Sequence, residues 1–149
     1  MRYVRNTLTQ EVIKQPTPID LEVHYDGKAM ITETDKHGII TFANRKFVEM
    51  TGYSVGELVG SPHNINRHPH MPKAAFSTLW HTISRQTSWN GIVKNMRKDG
   101  KYYWVNVWII PKYNENDEII GYIASRKTPH YEDIIKIEET YKELLTQEN

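Results

Sequence analysis

The side chains best suited to binding chemistry crowd into two short stretches. The first, Pro62–Phe76 (PHNINRHPHMPKAAF), carries His63, Asn64, Arg67, His68 and His70 around Pro62 and Pro69. An arginine in such a segment can fork onto phosphate oxygens, and a neighbouring imidazole can donate or accept a hydrogen bond beside it. Two prolines restrict the backbone and can hold a loop open around a ligand. The second stretch, Trp89–Asn95 (WNGIVKN), reads as a strand. The even separation of Trp89 and Asn95 puts both side chains on one sheet face. The indole can stack on an aromatic ring with its N–H free to bond, and the amide offers a donor and an acceptor that rotation exchanges.

Each of these residues has a plainer reading. Arg67 and His68 also suit an exposed loop with solvated side chains. Trp89 also suits a core or sheet-edge tryptophan, although Trp80, Trp104 and Trp108 fit that role better. Asn95 also suits a strand-end amide serving turn backbone, and Asn44 is first of all a helix N-cap. Histidine is a common metal ligand. His63, His68, His70 and His81 nevertheless lack an HExxH pattern, a cysteine and a carboxylate within the segment, so no dedicated metal site is expected.

Several function classes fall away on composition. The chain has 149 residues, enough for one domain. Nineteen Lys+Arg against eighteen Asp+Glu give a net charge of +1, with no bulk basic charge for nucleic acid. Zero cysteines exclude a disulfide framework, thiolate metal sites and a cysteine nucleophile. No apolar run reaches the length of a membrane span, and the first residues carry no signal-peptide pattern. No Walker motif, no GxGxxG after a strand and no Ser/His/Asp arrangement is present, so catalysis is not expected. These features point to a cytoplasmic domain without direct membrane insertion.

The elements that must position the two stretches follow from pattern. Residues 1–28 form a polar lead-in, with a short helical turn expected around Leu8–Ile13 before Pro16 and Pro18. Ala29–Thr34 and Ile39–Ala43 read as a hairpin across Asp35–Gly38. Asn44 caps a helix that ends at Gly52, and Ser54 with Glu57 forms a capping box for a second helix closed at Gly60. Ser61–Met71 has no periodicity and reads as loop or broken turns. Pro72 suits the first position of a longer helix to about Arg85, with Ala75, Phe76, Leu79, Trp80 and Ile83 as its apolar side. Three strands follow: Trp89–Met96, Tyr102–Tyr113 and Ile119–Arg126. In the middle one Tyr103, Val105, Val107 and Ile109 share one face. Residues 131–147 read as an amphipathic helix. The order predicts an α+β domain, a five-stranded antiparallel sheet with short helices on one face. Its expected divisions are 1–28 for the lead-in, 29–128 for the main domain and 129–149 for the C-terminal helix.

That order, with Ile39–Phe47 (IITFANRKF), Thr51–Gly60 (TGYSVGELVG), Pro62–Phe76, Trp89–Asn95 and Arg97–Val105 (RKDGKYYWV) inside it, resembles a PAS sensor domain. The Pro62–Phe76 and Trp89–Asn95 stretches in particular resemble the flavin-binding PAS domains of the bacterial aerotaxis-receptor type. The resemblance implies a PAS fold holding FAD non-covalently, with Arg67 and His68 in FAD binding and Trp89 close to the flavin. His63, Asn64 and Asn44 are weaker positions of the same kind. The family has Asp where His70 stands, so the resemblance makes FAD affinity depend on this position. Asn95 is the expected reporter: an amide opposite flavin N5 converts redox state into a hydrogen-bond swap. The resemblance also implies energy-taxis signalling to a membrane-bound chemoreceptor, by a stand-alone PAS partner of a bipartite system that reaches the membrane only through that partner, with a homodimer as a further arrangement. The rival readings are a haem b gas sensor ligated through His63 or His68 and a cofactor-free interaction module. A cysteinyl-adduct light sensor is excluded by the absence of cysteine.

Overall fold

A computed structural model describes residues 2–148. Two short strands, β1 (Tyr3–Arg5) and β2 (Val12–Lys14), pair as a separate hairpin. The main sheet comprises β3 (Met30–Asp35), β4 (Ile40–Ala43), β5 (Trp89–Met96), β6 (Tyr102–Tyr113) and β7 (Ile119–Lys127). Its spatial order is β4-β3-β7-β6-β5 with every neighbouring pair antiparallel. Helices α1 (Arg45–Thr51), α2 (Val55–Leu58) and α3 (Lys73–Ile83), with the 3-10 helix His63–Asn66, lie between β4 and β5 in the chain, and α4 (Tyr131–Gln147) follows β7. The expected five-stranded α+β architecture is present.

Local chemistry explains the helix boundaries. Asn44 accepts from the Phe47 backbone N–H at 3.1 Å, and Gly52 closes α1 in the left-handed region with φ +79°. Ser54 and Glu57 make the reciprocal capping box, at 3.1 and 3.0 Å. Phe47, Met50, Leu58 and Ile65 from these short elements are buried, as are Tyr103, Val105 and Val107 of β6, and all belong to one core cluster.

Two expectations are corrected. Pro72 stands at the N-cap of α3, one residue before the helix proper, and α3 ends at Ile83 rather than near Arg85. Proline has no side chain that can cap, and the Glu148 carboxylate does the work instead. It accepts from the Lys73 and Ala74 N–H groups at 3.1 Å each, so the end of α4 is tied to the start of α3. The expected helical turn at Leu8–Ile13 is the β1–β2 connection and β2. Asn6 is fully buried and decides this. Its Oδ1 accepts from Leu8 and Thr9 N–H, while Nδ2 donates to the Gly56, Glu57 and Val59 carbonyls at 2.9–3.2 Å. A side chain committed to carbonyls at the end of α2 outweighs the weak local helix pattern.

The two faces of the sheet serve different partners. Asn95 of β5, Tyr103 of β6 and Arg126 of β7 point under the short helices. Their neighbours Lys94 and Trp104 point to the back, where Tyr141 of α4 donates its hydroxyl to the Ile92 carbonyl at 2.5 Å.

Candidate functional site

A cavity of about 360 Å³ lies between the inward sheet face and the wall made by His63–Arg67 and α3. That volume falls toward the lower end of small-ligand sites, roughly 300–1,000 Å³. Its apolar walls come from Phe76, Leu79 and Trp80 of α3 and from Trp89, Val93 and Ile109 of the sheet. Trp80 stacks edge-on against Tyr122, with ring centroids 5.7 Å apart. Gly91 gives the Trp89 indole its place, because a Cβ there would stand 2.4 Å from the ring.

Five of the eight site residues expected from sequence meet in this cavity: His63, Asn64, Arg67, Trp89 and Asn95. Arg67 is held by its own segment. Its Nη2 donates to the Met71 carbonyl at 2.8 Å and its guanidinium lies 4.9 Å over the Phe76 ring, while its Nε has no acceptor. Asn95 enters from β5 beside the buried Tyr103, whose hydroxyl faces the Asn66 and Asn95 amides without closing a well-formed hydrogen bond. Burial raises that hydroxyl's pKa.

The other three lie elsewhere. Asn44 is committed to structure: beyond its cap, it accepts from the Ile31 N–H and donates to the Ala29 carbonyl. His68 and His70 face the back of β5. His68 is buried, with its ring 4.6 Å from His70 and edge-on to Tyr102, and its Nδ1 accepts from the His70 N–H at 3.0 Å. Burial, and then the nearby Lys94 ammonium, pushes His68 down to about 3. His70 sits against Lys94 in a second cavity of about 340 Å³ beneath α4. The difference from expectation has a simple cause. Arg67 is extended, with φ −69° and ψ 127°, and an extended backbone sends consecutive side chains to opposite sides.

The polar end of the main cavity holds a residue that the motif reading missed. Arg126 is 3% exposed and donates through Nη2 to His63 Nε2 at 3.0 Å and to Thr32 Oγ1 at 3.2 Å. That contact fixes Nε2 of His63 as an acceptor. Burial, and then the adjacent guanidinium, pushes His63 down to about 3, so the ring is neutral. The signal for Arg126 was its parity: it shares the inward face of β7 with Tyr122 and Ala124, where a charge is out of place. Asn66, also buried on the wall, was equally passed over.

An antiparallel sheet with one part-polar cavity beneath short helices defines an α+β domain built around a pocket. A family model described as the PAS fold matches residues 40–126, and the chain belongs to that family. It is similar to the aerotaxis receptor of Escherichia coli (strain K12), with 42% identity over 133 residues, covering 89% of this chain and 25% of the receptor. It is also similar to the nitrogen fixation regulatory protein of Klebsiella pneumoniae, with 30% identity over 97 residues, covering 65% of this chain and 20% of that protein. The chain thus spans a quarter of the first relative and a fifth of the second. The light-state structure of the blue-light photoreceptor Aureochrome1 LOV superposes with a TM-score of 0.64 at 20% identity, covering 80% of this chain and 91% of that one, which shows the shared fold. Among the described residues no helix is long and apolar enough to cross a membrane.

Proposed function

We propose that this PAS domain holds FAD without a covalent bond and reports the cofactor's redox state, as a non-enzymatic energy-taxis sensor, to a membrane-bound chemoreceptor signalling protein. One observation carries the reading: Trp89 and Asn95, which sequence parity puts on one face of β5, both line the same cavity. The similarity to an aerotaxis receptor supports it.

The residues fit the cofactor. A cavity of about 360 Å³ with tryptophan and phenylalanine walls suits a flat ring, while the larger phosphate and adenine portion requires space at its mouth. The orphaned Nε of Arg67 and Nδ2 of Asn66 are donors in need of acceptors. Haem fits less well, because His63 Nε2 is taken by Arg126 and His68 is turned to the back of β5.

A bound flavin supplies a ring nitrogen that accepts a hydrogen bond when oxidised and donates one when protonated. Asn95 is the residue to answer it, since its amide can present either oxygen or N–H. Trp89 stacks and excludes water, and Arg67 with Asn64 serves the polar side. A change at Asn95 passes through β5 to β6 and reaches the back of the sheet. There Trp108 and Ile110 stand exposed two residues apart on β6, with Phe42 beyond Glu33 and Ile123 in the same register, apolar contact points for a signalling partner or a second copy. Only a partner that prefers one redox state receives a signal.

Titrating ligand-free protein with FAD while following flavin fluorescence tests the reading. Saturable binding that Trp89→Ala weakens at least tenfold supports it. Absence of binding by the unaltered chain overturns it.

A further inference from the structure

The cavity wall is rich in donors and lacks an acid. Arg126 Nε, Arg67 Nε and Asn66 Nδ2 are buried N–H groups without acceptors, and no Asp or Glu lines the cavity. Arg126 is the extreme case. Among the described residues no carboxylate lies within 4 Å of it. Its Nη1 reaches the Met30 and Ala124 carbonyls only at 3.5 Å, and its strongest contacts are the neutral His63 ring and the Thr32 hydroxyl. The Phe47 ring, 4.7 Å away, gives the cation partial compensation. Burial lowers its pKa only to about 10, so it stays charged at neutral pH. Buried charges are ordinarily paired, and a buried guanidinium facing a cavity without a counter-charge lacks half of its site.

We infer that Arg126 is a ligand-binding residue, which takes the anionic or acceptor-rich edge of a flat aromatic ligand entering the cavity. Its Nη2 is anchored by His63 and Thr32 and its Nη1 has only the two 3.5 Å carbonyl contacts, so the cation lines the cavity with no acid beside it. Asn66 and Arg67 lie along the same wall, and Trp89, Phe76 and Trp80 supply the stacking surface. The ligand class is therefore a planar ring bearing a carboxylate, a deprotonated imide or paired carbonyls. This deepens the flavin reading and rests on it only for the identity of the ring; the preference for negative charge belongs to the cavity itself.

Two probes of one shape separate the effects: 2-naphthoate, anionic at neutral pH, and 2-naphthamide, its neutral counterpart. Their affinities for ligand-free protein are measured by calorimetry in the unaltered chain, in Arg126→Met and in Arg126→Lys. The unaltered chain is expected to favour naphthoate at least tenfold, Arg126→Met to lose that preference, and Arg126→Lys to keep part of it. Failure to bind either probe, an unaltered chain that favours naphthamide, or a naphthoate preference unchanged in Arg126→Met would overturn the assignment. A parallel FAD titration keeps the two ideas apart: absence of FAD binding alongside the expected naphthoate preference removes the flavin and leaves Arg126 in its role.

Discussion

Arg67 and Asn95 are antiparallel bridge partners, joined backbone to backbone across the free edge of β5. Beside it the Lys94 N–H donates to Met71 Sδ at 3.4 Å, so two contacts tie the histidine-rich loop to the edge of β5. This pairing sorts the chemistry of the whole region. Arg67, Trp89, Val93 and Asn95 open into the main cavity, whereas His70, Lys94 and Trp104 open into the cavity beneath α4.

Asn95→Ala should preserve the fold, with a stability change within about 1 kcal/mol, because no well-formed hydrogen bond of the core depends on its amide. Hydrogen exchange in β5 and β6, compared between oxidised and chemically reduced FAD-loaded protein, should differ in the unaltered chain and become alike in the variant. A difference of equal size in both would remove Asn95 from the signalling role.

Two glycine substitutions should have opposite consequences. In Gly91→Ala the new Cβ meets the far edge of the Trp89 ring at 2.4 Å, and that side chain can turn away. FAD affinity should fall at least tenfold while the melting temperature moves little. In Gly121→Ala the Cβ meets the Thr34 backbone carbonyl at 2.1 Å, between paired strands that cannot separate cheaply. That variant should lose about 2 kcal/mol or more of stability in urea unfolding.

Most of this arrangement is readable from local pattern. The Asn44 cap, Gly52 and the Ser54–Glu57 pair are local signals whose capping partners lie within four residues; they mark α1 and the start of α2, which ends at Leu58 with Val59 as its cap rather than at Gly60. The parity of Trp89 and Asn95 survives because β5 is unbroken. The larger misplacements depend on distant partners. The β1–β2 hairpin exists because Asn6 reaches carbonyls some fifty residues away, and α3 begins where Glu148 caps it from the far end of the chain. The resemblance pairs His68 with Arg67, yet the bridge to Asn95 turns these neighbours to opposite faces. Arg126 belongs to no motif, and only its inward parity marked it.

Asn6→Ala should be among the more damaging single changes in the lead-in. It removes acceptors for two N–H groups and a donor shared by the Gly56, Glu57 and Val59 carbonyls, all around a fully buried position. A loss of about 2–3 kcal/mol is expected from the urea midpoint, and a loss below about 0.5 kcal/mol would contradict it.

Stability should fall as pH drops from about 6.5 toward 3. His63 and His68 are both pushed down to about 3 in the folded chain, while their unfolded pKa is near 6.5. Between those values the unfolded chain binds more protons, so acid favours unfolding. Measured between pH 6.5 and 5, above the carboxylate range, the slope of stability against pH should flatten in His68→Asn. An identical slope would show that His68 is not held neutral.

The central claim is tested most directly by the visible absorption spectrum of freshly purified protein, repeated on the filtrate after denaturation. The account predicts a flavin double band that moves entirely into the filtrate and identifies there as FAD. A Soret band, or a colourless protein that stays colourless after incubation with FAD, would contradict it.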